Sequence, residues 1–159
     1  MGEQAQYLTF ALGDEVFALD IRVVREIIQY ASVTVVPLMP AFVRGVMNLR
    51  GAVVPVIDLQ VRLGRSRSQV GKKTCVVIFD ATLEGERVEL GLMVDAVNEV
   101  VDIAESRIEP APQFGTSVAR QFISGLGRVG DLLVTILAPE QALDIEAMAL
   151  LAGDHEGTA

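Results

Sequence analysis

One histidine, one cysteine and no tryptophan occur among the 159 residues of the chain. Each shortage closes off a class of function. His155 stands in the terminal stretch GDHEGTA, so a Ser-His-Asp or Cys-His centre would have to rest on a fraying tail. One Cys and one His cannot assemble a zinc-type ligand set. Cys75 can form no internal disulfide, which fits a reducing compartment, and within TCVVIF it reads as a small buried hydrophobe. The lack of tryptophan argues against a broad aromatic binding platform. Cations are scarce as well. Thirteen Lys and Arg face 21 Asp and Glu, a formal net charge of −8, the opposite of what nucleic acid or an anionic membrane attracts. No apolar run approaches the roughly 18 residues of a membrane helix. The start, MGEQAQYLTF, has no basic opening and no apolar h-region, so it does not read as a signal peptide. Gln6 stands where a myristoylation motif needs Ser or Thr. The expectation is a cytoplasmic protein with no nucleic-acid partner and no direct membrane insertion.

What is present is β-forming sequence. YLTFAL, EVFALDI, AVVPVIDL, CVVIFDA, VELGLMV and LLVTIL are short β-branched runs bounded by Gly, Asp or Asn. Hairpin turns are expected at 14–16 and within 84–90. Short helices are expected at PAFVRG, opened by Pro40, and over about 139–152, with the tail 153–159 disordered. Pro55 inside its apolar run points to an edge strand or a bulge. The pattern as a whole predicts small β-barrels or sandwiches.

The chain also repeats itself. FALDIRVVREII (17–28) aligns with LGLMVDAVNEVV (90–101) at a displacement of 73 positions, setting Leu19 against Leu92, Val24 against Val97 and Glu26 against Glu99. FVRGVMNLRGAVVPVI (42–57) aligns with FISGLGRVGDLLVTIL (122–137) at a displacement of 80, setting Gly45 against Gly125 and Val54 against Val134. The growth in displacement is the longer connection EPAPQFG in the second copy. The first half covers about 14–66 plus an N-terminal strand, the second about 74–137. A unit of this size buries only about 60% of its unfolded surface, so the two copies are expected to pack together and leave a groove between them. The connection RLGRSRSQVGKKT (62–74) has five basic residues, no acid and no aromatic, and reads as a solvated, mobile linker.

Catalytic signatures fail on inspection. Asp95, Glu99 and Asp102 lie within the repeat, where acids on a wet face are commoner than catalytic pairs. GLGRVG (125–130) matches G-x-G-x-x-G, but a phosphate cradle needs a helix after it and here DLLVTIL follows. GKKT lacks the earlier glycine of a P-loop. No enzyme activity, cofactor or metal is expected.

FALGDEVFALDIRVVREII, MPAFVRGVMNLRGAVVPVIDL and RIEPAPQF, in this order, resemble the CheW-type coupling proteins of bacterial chemotaxis. The resemblance spans about residues 6–152, and its most specific element is G-x-x-N-L-R-G-x-x-x-P-x-x-D-L, Gly45 to Leu59. It implies a mainly β fold of two SH3-like five-stranded barrels packed around a shared core, with a few short helices including one near the C-terminus. It further implies a non-enzymatic adaptor that joins the cytoplasmic tips of methyl-accepting chemoreceptors to the regulatory domain of a CheA-type histidine kinase, in arrays that allow self-association or rings at the inner face of the membrane. The family's receptor-contact positions match Arg50, Val24, Glu26, Ile27, Val33, Val97 and Val100 in this sequence. No residue can be matched to the kinase contact. Val24, Val97 and Val100 recur in the repeat, so they fit core and groove equally, and Glu26 recurs as Glu99, which fits a scaffold role as well. Arg50 aligns with Gly130 instead, so the duplicated turn manages without a charge. Two rivals stay open: a small-molecule-sensing barrel, and an adaptor of a chemosensory array with a non-flagellar output.

Overall fold

Along β6 (Cys75–Leu83) the side chains serve two cores in alternation. Val77, Phe79 and Ala81 enter one, and Val76 and Ile78 the other, as the two-residue period of a strand requires. β7 (Glu86–Val94) divides the same way, with Leu90, Leu92 and Val94 on the first side and Met93 on the second. β1 (Gln4–Leu12) sends Leu8, Phe10 and Leu12 into that same first core and Tyr7 into a third. β2 (Glu15–Asp20) contributes Phe17 and Leu19 against Ala18. Strands buried on both faces read as unbroken apolar runs, which is why these four were legible as strands.

The computed structural model describes residues 4–62, 65–83, 86–110 and 123–138. The expected helix over 139–152 and the tail lie outside the described residues. The remaining strands are β3 (Val24–Gln29), β4 (Val43–Leu49), β5 (Ala52–Asp58), β8 (Ala96–Ala104), β9 (Ile108–Glu109), β10 (Ile123–Val129) and β11 (Leu132–Leu137), with one helical turn, α1 (Leu59–Arg62). One sheet runs β8-β1-β2-β11-β10-β9. Its two ends, β8 and β9, are joined by a single 3-10 turn, Glu105–Arg107, so the sheet closes on itself. The other runs β3-β6-β7-β5-β4. It closes when Thr34, after β3, pairs with Val46 of β4 through hydrogen bonds of 2.8 and 2.9 Å. The result is two small barrels, A and B.

The barrels are not the two copies of the repeat. Barrel A takes β1 and β2 from the first copy and β8 to β11 from the second; barrel B takes β3 to β5 from the first and β6 and β7 from the second. The crossover from β2 to β3 is the 3-10 turn Ile21–Val23, capped by Asp20, whose carboxylate accepts from the Arg22 backbone N–H. The Arg22 guanidinium grips the same carboxylate and holds it below its usual range. The packing expected between copies is therefore packing between barrels that each contain both copies. Among the described residues, fourteen buried side chains fill the core shared by the barrels, against five in each barrel's own core. Burying one such side chain contributes about 1.5–3 kcal/mol, so the shared layer outweighs either small barrel.

The repeat is visible in the closures. β4 and β10 each carry a register shift, at Val43/Gly45 and at Ile123/Gly125. A Cβ on Gly45 would lie 2.5 Å from the Thr34 carbonyl oxygen, and one on Gly125 would lie 3.0 Å from that of Glu109. Only glycine lets the closing segment approach so near. GLGRVG thus lies mostly within strand β10, where its first glycine makes room for a neighbouring backbone.

Three expectations need correction. PAFVRG forms no helix: the Val43 N–H bonds the Pro40 carbonyl at 2.9 Å, and this one turn runs directly into β4. Pro55 lies on an inner strand. Its partner Val46 gives both backbone groups to Thr34, and the ladder to β7 begins only at Val56, so the missing N–H leaves no ladder bond unmade. Within the 62–74 connection, the described stretch 65–74 is not loose, because Ser68 and Thr74 are buried. The first hairpin turn is Gly13-Asp14, just before the expected 14–16.

Candidate functional site

Leu49 pairs with Ala52 across the β4–β5 hairpin, leaving a two-residue turn, Arg50-Gly51. Both residues have left-handed backbone, with φ of 52° and 87°, as a type I′ turn needs to follow the twist of the strands. Asn or Gly normally fills the first position, since a Cβ there costs roughly 1–2 kcal/mol. The equivalent turn of barrel A uses Gly130, φ 61°. Arg50 is thus placed where the backbone favours glycine, and its side chain remains 64% exposed. The Asn48 side-chain oxygen accepts from the Gly51 N–H at 3.0 Å and steadies the turn.

From this tip the Arg50 guanidinium reaches Glu26 on β3 and donates a hydrogen bond to its carboxylate. That bond raises the arginine's already high pKa, with further help from the nearby Glu89 carboxylate. Arg25, next to Glu26, lies 3.7 Å from Asp80 and 3.9 Å from Glu89. Asp80 Oδ1 is buried and accepts no hydrogen bond among the described residues. The tip of the hairpin and the neighbouring strands so carry a mixed charge network. In barrel A, Glu99 holds the position equivalent to Glu26. Its backbone exchanges hydrogen bonds with the Thr9 hydroxyl, and its carboxylate makes no ion pair among the described residues.

The CheW-like domain model matches residues 6–147. The chain belongs to the CheW family. The chemotaxis protein CheW of Klebsiella aerogenes is 36% identical over 146 residues, 92% of this chain and 86% of that one. The probable chemotaxis protein CheW of Rhizobium etli is 32% identical over 135 residues, 85% of this chain and 84% of that one. The crystal structure of the scaffolding protein TtCheW from Thermoanaerobacter tengcongensis superposes with a TM-score of 0.75 at 35% identity, covering 85% of this chain and 89% of that one. This CheW fold is therefore the pair of SH3-like barrels that the resemblance implies, except that the sheet of barrel A has six strands instead of five.

Within the CheW domain the other matched positions divide by strand face. Val24 and Ile27 stand opposite Phe79 and Val77 in the β3–β6 ladder, and Val97 and Val100 opposite Phe10 and Leu8 in the β8–β1 ladder. Directly opposed residues share a face, so all four lie on the side of their strands that meets the shared core. Val24 and Val97 pack against that core and are half-buried. Ile27 and Val100 are 42% and 46% exposed. Glu26 falls on the opposite face of β3, opposite Ile78. Val33 packs against the core of barrel B, close to Gly45. The structure thus joins Arg50 to Glu26 directly, sets four apolar positions on shared-core faces, and ties Val33 to barrel closure.

One polar constellation of this CheW chain is not legible as a unit in its sequence. Asp58, with a 1% exposed side chain, is the aspartate of the D-L pair that ends the family string. Its carboxylate accepts from Arg44 Nη1 at 3.2 Å, from the Ser68 N–H at 2.9 Å, from the Ser68 hydroxyl at 2.7 Å and from the Gln60 N–H at 3.2 Å. Arg44 also donates to the Ser68 carbonyl at 3.0 Å. This ion pair, with its carboxylate buried, staples the segment around Ser68 to barrel B. The available signal was a lone charge in each of two apolar runs, FVRGV and VIDL.

Proposed function

We propose that this chain is a non-enzymatic adaptor of bacterial chemotaxis that couples receptor tips to a CheA-type histidine kinase in cytoplasmic arrays at the inner face of the membrane. The observation that carries the reading is Arg50: an exposed arginine in left-handed backbone, where the duplicated hairpin has glycine. A residue kept against its local backbone preference needs a reason outside the turn. Guanidinium offers a flat set of donors suited to carboxylates and backbone carbonyls, and Glu26 holds it toward β3. Exposed Ile27 and Val100 supply apolar contact area on the shared-core faces, where Val24 and Val97 are half-buried. Relatives named chemotaxis protein and a structural neighbour titled a scaffolding protein support the same assignment. For contacts within an array, exposed Val53 and its repeat equivalent Leu133 offer one apolar surface on each barrel.

The test is Arg50→Glu, with affinity for a receptor cytoplasmic fragment and for the kinase measured side by side. Receptor binding should weaken at least about tenfold, since attraction becomes repulsion, while kinase binding stays as it was and the thermal melt falls only slightly, because the lost Arg50–Glu26 pair is exposed. Unchanged receptor binding would make Arg50 a solvated turn residue and remove the support for this site.

A further inference from the structure

The segment from Arg65 to Thr74 reads as a loose connection, yet it is fixed at both ends. Ser68 is bound into the Arg44–Asp58 pair. At the far end the Gly71 N–H donates to the Thr74 hydroxyl at 2.7 Å, and Tyr30 donates from its backbone to the Thr74 carbonyl at 3.0 Å. Arg65, Arg67, Lys72 and Lys73 are therefore displayed from a held backbone. Together they line an open cavity of about 680 Å³. Arg65 pairs with Glu15 at one edge and lies 5.8 Å from the centre of the Phe17 ring. Arg67, Lys72 and Lys73 make no ion pair among the described residues. Such a concentration of cations on a chain of net charge −8 is the strongest local departure from its overall electrostatics.

We propose that this cleft docks an extended acidic segment of a partner protein, at a surface distinct from the Arg50 hairpin. Glu15 against Arg65 is an internal example of a carboxylate at its edge. Gln60 and Gln69, also on its walls, offer the amide donors and acceptors that a peptide backbone uses. Nucleic acid fits poorly: among the described residues no aromatic side chain lines the cleft for base stacking, and the net negative charge repels a dense polyanion. A bilayer is flat and cannot follow a concave wall. Asp95 also lines the cleft, its carboxylate accepting from the Gly13 N–H at 2.7 Å, and disfavours an anion at that end.

Fluorescence anisotropy of the full chain tests this with a labelled decapeptide of alternating glutamate and serine, beside the same peptide with glutamine for glutamate. The acidic peptide should bind at least about tenfold more tightly, and several-fold less tightly as salt rises from about 50 to about 200 mM. Replacing Arg65, Arg67, Lys72 and Lys73 by Ser should abolish the preference, whereas Arg22→Ser should leave it. Where loss of the Arg65–Glu15 pair lowers the melting temperature, Lys72→Gln with Lys73→Gln decides, since neither lysine makes an ion pair within the described fold. Equal binding of the two peptides, no binding of either, full binding by the lysine variant, or tighter lysine-dependent binding of a DNA duplex or of phosphatidylserine vesicles would each overturn the proposal.

Discussion

The hairpins β4–β5 and β10–β11 are one design built twice, and their differences separate scaffold from specialisation. They share the register shift at Gly45 and Gly125, the close approach of a closing segment, and the buried pair Val54 and Val134. They differ at the turn, Arg50-Gly51 against Gly130-Asp131, and at the far end, where the first copy has Arg44 and Asp58 and the second has Ser124 and Ala138. Shared features are what any such barrel needs to close. The differences mark what only barrel B does: staple a basic segment and carry an arginine at its tip.

The largest effect should come from separating the copies. Residues 1–68 alone leave β1 and β2 without β8 and β11, and β3 to β5 without β6 and β7. Expressed by themselves they should form an unfolded or aggregating fragment, read by circular dichroism and thermal melting. A soluble fragment with a cooperative melt would contradict the exchanged-strand account.

Next is the staple that barrel A lacks. Arg44→Ala leaves the Asp58 carboxylate buried without its countercharge, which should destabilise by about 3–5 kcal/mol in urea titration. At the equivalent exposed position, Ser124→Ala should stay within about 0.5 kcal/mol. Similar losses at both would mean that the asymmetry has no energetic content.

Smaller again is the closure that both barrels share. Gly45→Ala and Gly125→Ala should each cost about 1–3 kcal/mol through overpacking. Gly45 should be the worse, because its Cβ meets backbone oxygen at 2.5 Å, while the nearest atom at Gly125 is the Ile108 Cγ2 methyl at 2.8 Å. Tolerance at either site would show that its closing segment yields.

Which parts of this were legible beforehand follows from the range of the interactions. The strands buried on both faces announced themselves as apolar runs, and the Gly45–Leu59 string pointed to the family. The exchange of strands between copies left no local mark: β2 and β3 are close in sequence, and nothing in LDIRVVRE tells that the chain changes barrel there. PAFVRG met a helix-start rule at Pro40, but Val43 and Gly45 belong to a ladder whose partner, Ile57, is fourteen residues away. The basic segment looked solvated because composition shows charge and not the buried serine between its charges. For Arg50, the aligned Gly130 already indicated specialisation; the left-handed backbone adds that an arginine is costly there.

The measurement that bears most directly on that last point is Arg50→Gly, with receptor-fragment affinity and melting temperature determined on the same preparation. The substitution relieves the left-handed backbone and removes the guanidinium, giving the first turn position the glycine that barrel A has there. If Arg50 is retained for its partner, the melting temperature should hold or rise while receptor affinity falls at least about tenfold. A lowered melting temperature with normal receptor affinity would contradict this, and would make the Arg50–Glu26 pair an internal strut of barrel B.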